Sequence, residues 1–151
     1  MDWSGTSNVA AALPDVVFGT FYPSISAEKF KSLYRIPAEL PGAVVTEQLR
    51  LAGLAVIREL RNWRETRSEE TLAAIEQETA DGVGELVLAF ERAVYCEAKA
   101  ELLRETVTVD RRSQAENAAK SGEETENKYR EFAADAIAAI IGARRVAVEL
   151  I

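Results

Sequence analysis

The sequence predicts an all-α protein: an antiparallel four-helix bundle with an extended N-terminal arm and an extended C-terminal tail. Three observations predict it. Apolar residues recur at three- and four-residue steps over four separate stretches. Pro, and most Gly, fall between those stretches rather than inside them. Only one clear segment, at the C-terminal end, alternates as a strand does. The boundaries that follow are an arm at 1–23, a helical body at 24–142 and a tail at 143–151.

The arm is punctuated by Gly5, Asn8, Pro14, Gly19 and Pro23, and it has no basic side chain. Trp3, Val16, Val17, Phe18, Phe21 and Tyr22 are spread along it without helical spacing. A poorly ordered terminus is one reading. Disordered arms are poor in aromatics, however, so Phe18, Phe21 and Tyr22 favour an arm that orders against a surface and uses these three as its contacts.

Ser26 then fits an N-cap, with Glu28 in the first turn where the helix dipole favours an acid. This first helix runs to about Tyr34, with Phe30 and Leu33 pointing one way and Lys29 and Lys31 pointing out. Pro37, Pro41 and Gly42 make 36–45 a loop. Thr46 is the expected cap of the second helix, which runs to about Arg67. Leu49, Gly53, Val56, Leu60 and Trp63 share its apolar face, and Leu54 and Ile57 broaden it. Arg58, Arg61, Arg64 and Arg67 form a ridge at steps of three. That ridge is either a solvated face or a basic edge that meets an acidic edge of another subunit.

Residues 68–81 read as a polar, acidic connector in which Leu72 to Glu78 could make a turn or two of helix. Gly82 and Gly84 open the central helix, Gly84 to Glu105, which is about 32 Å long at 1.5 Å per residue. Val83, Val87, Phe90, Val94, Ala98 and Leu102 lie on one face. Leu86, Ala89, Ala93, Ala100 and Leu103 widen it until the helix must sit in the middle of the protein. Thr106 to Asp110 favours β structure but has no partner strand, and it reads as a helix end and loop. Capping boxes at Ser113/Glu116 and Ser121/Glu124 start the last helix at about 114 or about 122. Tyr129, Ala133, Ala136, Ile137 and Ile140 make its buried face, and Gly142 is its C-terminal stop. In the tail, Val146, Val148 and Leu150 alternate with Ala147, Glu149 and Ile151. A lone strand is not stable, so this segment is either frayed or completes itself on another molecule.

The chain has 151 residues, enough for one domain with one core, and carries a net charge of −7. That acidic excess argues against gripping nucleic acid by its phosphates, but it does not argue against a wall along which DNA slides without sticking. There is no histidine, which removes the commonest general base and zinc ligand. One cysteine, Cys96, allows no internal disulfide and reads as a packing residue. No signal peptide and no apolar run of membrane-spanning length is visible, so synthesis in the cytoplasm and no membrane contact are expected. Glu97 and Glu101 are four apart and could in principle hold a hard metal. Without a Glu-x-x-His partner they read instead as a surface pair flanking Lys99 and Arg104. No catalytic residue, cofactor site or metal site is predicted.

Several blocks are familiar in their order. FYPSI at Phe21 to Ile25 and KFKSLYRI at Lys29 to Ile36 resemble the aromatic-Pro-acid-Ile and Phe-x-x-x-Met-Arg-Leu opening of a phage family. QLRLAGLAVIRELRNWR at Gln48 to Arg64, FERAVYCEAKAEL at Phe90 to Leu102, and the ending Val148, Glu149, Leu150, Ile151 are similar to its later blocks. The family is that of the head completion, or head stabilisation, proteins of P2-like contractile-tailed phages. The resemblance spans about residues 21–151 and departs at the connector 66–83.

The resemblance implies a non-enzymatic connector at the head-tail junction of a virion. Such a protein binds under the portal protein, retains packaged DNA without sequence-specific binding, and offers a docking surface to a tail terminator or tail completion protein. Portals are twelve-fold, so a homo-oligomeric ring of twelve copies is implied. The expected subunit interface joins Arg58, Arg61, Arg64 and Arg67 to the acidic run that includes Glu124 and Glu131. The expected portal-docking tail is Val146, Val148, Glu149, Leu150 and Ile151. The residues also allow a small acidic helical module that recruits a host or regulatory protein.

Overall fold

The computed structural model describes the backbone of residues 11–109 and 115–142, and the side chains of 11–105 and 125–142. Among them are five α-helices: α1 (Ala27–Leu33), α2 (Gly42–Glu59), α3 (Arg61–Glu65), α4 (Glu85–Val109) and α5 (Ala115–Ile141). A single 3-10 turn, Leu72–Ala74, and the antiparallel pair β1 (Thr79–Ala80) and β2 (Val83–Gly84) fill the connector. The protein is mostly helical, as predicted, with a minimal sheet that the sequence pattern did not show.

The central element is α4, and both α2 and α5 pack along it. It is apolar around much of its girth, so Phe90, Val94, Tyr95, Cys96, Ala98 and Ala100 are all buried. Both neighbours run antiparallel to it. Gln48 near the start of α2 donates to Glu105 near the end of α4. Arg130 of α5 reaches both Glu97 and Glu101, while Phe132, further along α5, lies under Arg92, earlier on α4. Ser26 caps α1 as expected, its hydroxyl accepting from Lys29 N–H.

Several expectations are corrected. The second helix starts four residues before Thr46, directly after Pro41. Proline's fixed φ suits a helix entry, and Thr46 is buried inside α2. That helix does not continue to Arg67. At Leu60, with φ −84° and ψ −2°, it breaks into the short α3. Thr106 to Val109 continue α4 rather than forming a loop, since helical context overrides the weak β preference of Thr and Val. Val83 belongs to β2, and Gly82, at φ +78°, makes the hairpin turn. Leu33 and Leu54 are 62% and 53% exposed, so neither joins the core. The last helix takes the earlier of its two starts and stops at Gly142, which has φ +76°.

The largest departure concerns the arm, from Val16 onward. Val16 and Ile25 exchange two backbone hydrogen bonds of 2.8 Å, closing a loop back on the body. Phe18, Phe21 and Tyr22 are buried in the chain's own core. Tyr22 stacks on Phe90 at 4.8 Å and Phe18 meets Phe90 edge-on at 6.3 Å. The surface on which these aromatics order is therefore that of α2, α3 and α4 of the same chain. Gly53 makes room for it: the Phe18 ring occupies the space a β-carbon would take.

Candidate assembly surfaces

The predicted basic ridge divides in two. Arg58, in the last turn of α2, and Arg61, at the start of α3, are exposed and form no ion pair among the described residues. Arg64 and Arg67, past the break at Leu60, are half-buried. The Arg64 guanidinium lies 3.8 Å over the Phe21 ring, a cation–π contact, and donates to the Arg67 carbonyl at 3.1 Å. Arg67 pairs with Glu69 at 2.6 Å. The inner two arginines hold the N-terminal segment and the connector in place. Only the outer two face solvent.

Of their expected acidic counterparts, Glu131 is exposed on the outer face of α5. Glu124 lies on α5, with its side chain outside the described residues. The tail residues Val146, Val148, Glu149, Leu150 and Ile151 lie outside the described residues altogether.

Glu97 and Glu101 do not pair with Lys99 and Arg104. They hold Arg130 of α5 at 2.9 and 2.7 Å, and Glu126 adds a third carboxylate at 2.9 Å. Hydrogen bonds donated by Arg130, first to Glu101 and then to Glu126, raise the guanidinium above its ordinary pKa, against the opposing effect of burial. The cluster fixes where α5 lies against α4. Sequence reasoning missed Arg130, because nothing in a one-dimensional pattern shows which cation on another helix faces an i,i+4 acid pair. The Glu126–Arg130 spacing was the available signal. Lys99 is half-buried on the same helix, and burial lowers its pKa.

The chemistry of the remaining groups is quiet. Cys96 is buried 3.8 Å from the Tyr34 hydroxyl, and burial pushes its thiol up, away from the reactive thiolate. No cluster of three or more metal-ligating side chains occurs among the described residues. No described helix is long and apolar enough to cross a membrane. Surface rather than pocket chemistry is what the fold offers. Its outer α2 face carries Arg50, Leu51, Leu54 and Arg58, all exposed.

The family described as phage head completion protein (GPL) matches residues 16–151. The chain belongs to that family. The match begins at Val16, a buried residue, and runs through every helix described above. No curated protein and no solved structure matches the chain. As a phage head completion protein it is a structural virion component that acts in head assembly.

Proposed function

We propose that this head completion protein is the connector between head and tail. Twelve copies form a ring beneath the portal protein, retain the packaged DNA, and present the surface on which a tail terminator or tail completion protein docks. The observation that carries this reading is the family match, which covers the helical body and the tail together. Two further features support it. Arg58 and Arg61 form an exposed cationic edge with no ion pair among the described residues, suited to an acidic edge on a neighbour. A net charge of −7 lets DNA pass along a channel without being held.

In this reading the segment Val146 to Ile151 is the portal-docking element, added as a strand or laid in a groove. Arg58 and Arg61 are the ring-edge cations, with Glu131 and Glu124 as their acidic counterparts. Deleting residues 146–151 leaves a folded protein that no longer joins purified portal rings in co-sedimentation. Normal portal binding by the truncated protein would overturn the assignment of the tail.

A further inference from the structure

Between α1 and α4 lies a shallow groove of about 250 Å³, lined by Lys29, Leu33 and Tyr34 of α1 and by Leu88 and Arg92 of α4. Leu33 is 62% exposed and Leu88 39%, so two helices turn an aliphatic side chain into the same open space. Tyr34 bars one end. Its ring lies 6.2 Å from that of Tyr129 on α5, and its hydroxyl is 3.8 Å from Cys96 Sγ on α4. The charges here are engaged within the subunit. Lys29 pairs with Glu91 at 2.8 Å, and the Arg92 guanidinium lies 5.2 Å over the Phe132 ring. What the groove accepts is therefore an aliphatic segment rather than an ion.

The end of α5 lies within reach of this groove. The Arg92–Phe132 contact sets the level of α5 on α4. From Phe132 the antiparallel α5 runs on to Ile141, about 14 Å toward the start of α4. Gly142, at φ +76°, then turns the chain off the helix. Leu88 is one turn from Arg92 in the same direction, so the groove lies between Arg92 and the level at which the tail begins. Residues 143–151 span up to about 30 Å when extended, twice the distance back to Arg92. Val83 and Ile141, 38% and 41% exposed, extend the apolar surface at that end of the helices. The exposed Leu51 and Leu54 are placed differently. They belong to α2, which forms no packed pair with α5 and is separated from it by α4.

We infer that in the free subunit this groove holds the tail of the same chain, with Val146, Val148 and Leu150 against Leu33 and Leu88, and Ala147 and Glu149 facing out. The chain's own tail is the occupant for two reasons. Its alternation gives it one aliphatic side, which a lone extended segment must lay on some surface. It is also tethered beside the groove, at a roughly millimolar effective concentration that a separate molecule does not match. The inference rests on the tail being the portal-docking segment proposed above, and it adds how that segment is held back. The same aliphatic side serves both contacts, so the tail occupies the groove or the portal but not both. The portal must compete the tail away, and its apparent affinity falls by the fraction of subunits in which the tail is free.

The test is an intrachain cross-link. Leu88→Cys and Val148→Cys are combined in the full-length chain, and the dilute protein is mildly oxidised without portal. Leu88 is exposed, and the native Cys96 is buried. The expected product is a disulfide within one chain, located by mass spectrometry and at least tenfold more abundant than in a control that pairs Leu51→Cys with Val148→Cys. Linkage mainly between chains, or equal linkage in the control, overturns the contact. The locked protein should fail to co-sediment with purified portal rings, and reduction should restore binding. A locked form that binds as well as the reduced one overturns the competition. Failure of the wild type to join portal rings sinks the connector reading, whereas the cross-link is read without portal, so the two failures are separable. In a second measurement, Leu33→Glu frees the tail and raises portal affinity at least threefold with an unchanged melting temperature. Wild-type affinity in that variant would exclude the groove.

Discussion

Arg58 and Arg61 share a spacing with Arg64 and Arg67, yet the two pairs have different fates. The outer pair points into solvent. The inner pair is captured, Arg64 by the Phe21 ring at 3.8 Å and Arg67 by Glu69 at 2.6 Å. The difference comes from two features, the helix break at Leu60 and the N-terminal segment that folds over the far side of it. A periodic ridge is thus not a functional unit in itself. Its residues are sorted by what else reaches them, and only those left over are available to a partner.

The comparison can be broken most forcefully at Phe21, the residue that captures Arg64. Phe21→Ala empties a buried aromatic site and costs about 3–5 kcal/mol in urea unfolding. A loss below 1 kcal/mol would mean that the segment is not part of the core. Arg130→Ala supplies a reference for a fully engaged arginine. It loses three carboxylate partners, but its side chain is 33% exposed, so solvent screening limits the cost to about 1–2 kcal/mol. Arg64→Ala removes the cation over Phe21 and costs about 1 kcal/mol. Arg61→Glu, by contrast, stays within about 0.5 kcal/mol of wild type in unfolding. It weakens co-assembly on portal rings instead, and unchanged assembly would remove Arg61 from the interface.

The smallest effect is one of pH. Burial pushes the phenol of Tyr22 above its ordinary value of 10.0, and the Arg64 charge pulls the other way. Burial also pushes up Tyr34 and Tyr95. These native phenols hold protons that the unfolded chain releases near pH 10. The stability they contribute is therefore complete below about pH 10 and is lost as the pH rises through the folded values. Urea midpoints should fall between pH 9 and 11, and a flat profile would contradict this. Arg64→Ala should move the Tyr22 phenolate absorbance to still higher pH, sharpening the assignment of Arg64 to the inner pair.

Much of the helical scaffold could be read directly. The Ser26 cap, the α4 core stripe, the buried Ala133–Ile140 face and the Gly142 stop all follow from local rules of periodicity and capping. The Leu60 break and the start of α2 were not legible, because both depend on how the ends of helices meet their neighbours. The Phe18, Phe21 and Tyr22 contacts were legible as contacts but not as self-contacts, since nothing along the chain says that Gly53 leaves space for an aromatic ring.

Sequence by itself determined the helical class, the position of the central helix and, through the order of its motif blocks, the family. Those depend on residues near one another along the chain, or on a pattern that survives without coordinates. Only the tertiary structure decided that the N-terminal aromatics close over α4, that Glu97 and Glu101 hold Arg130, and that two of the four ridge arginines form no ion pair among the described residues. These are contacts between distant segments. Packing geometry sets them, and a one-dimensional pattern does not contain it.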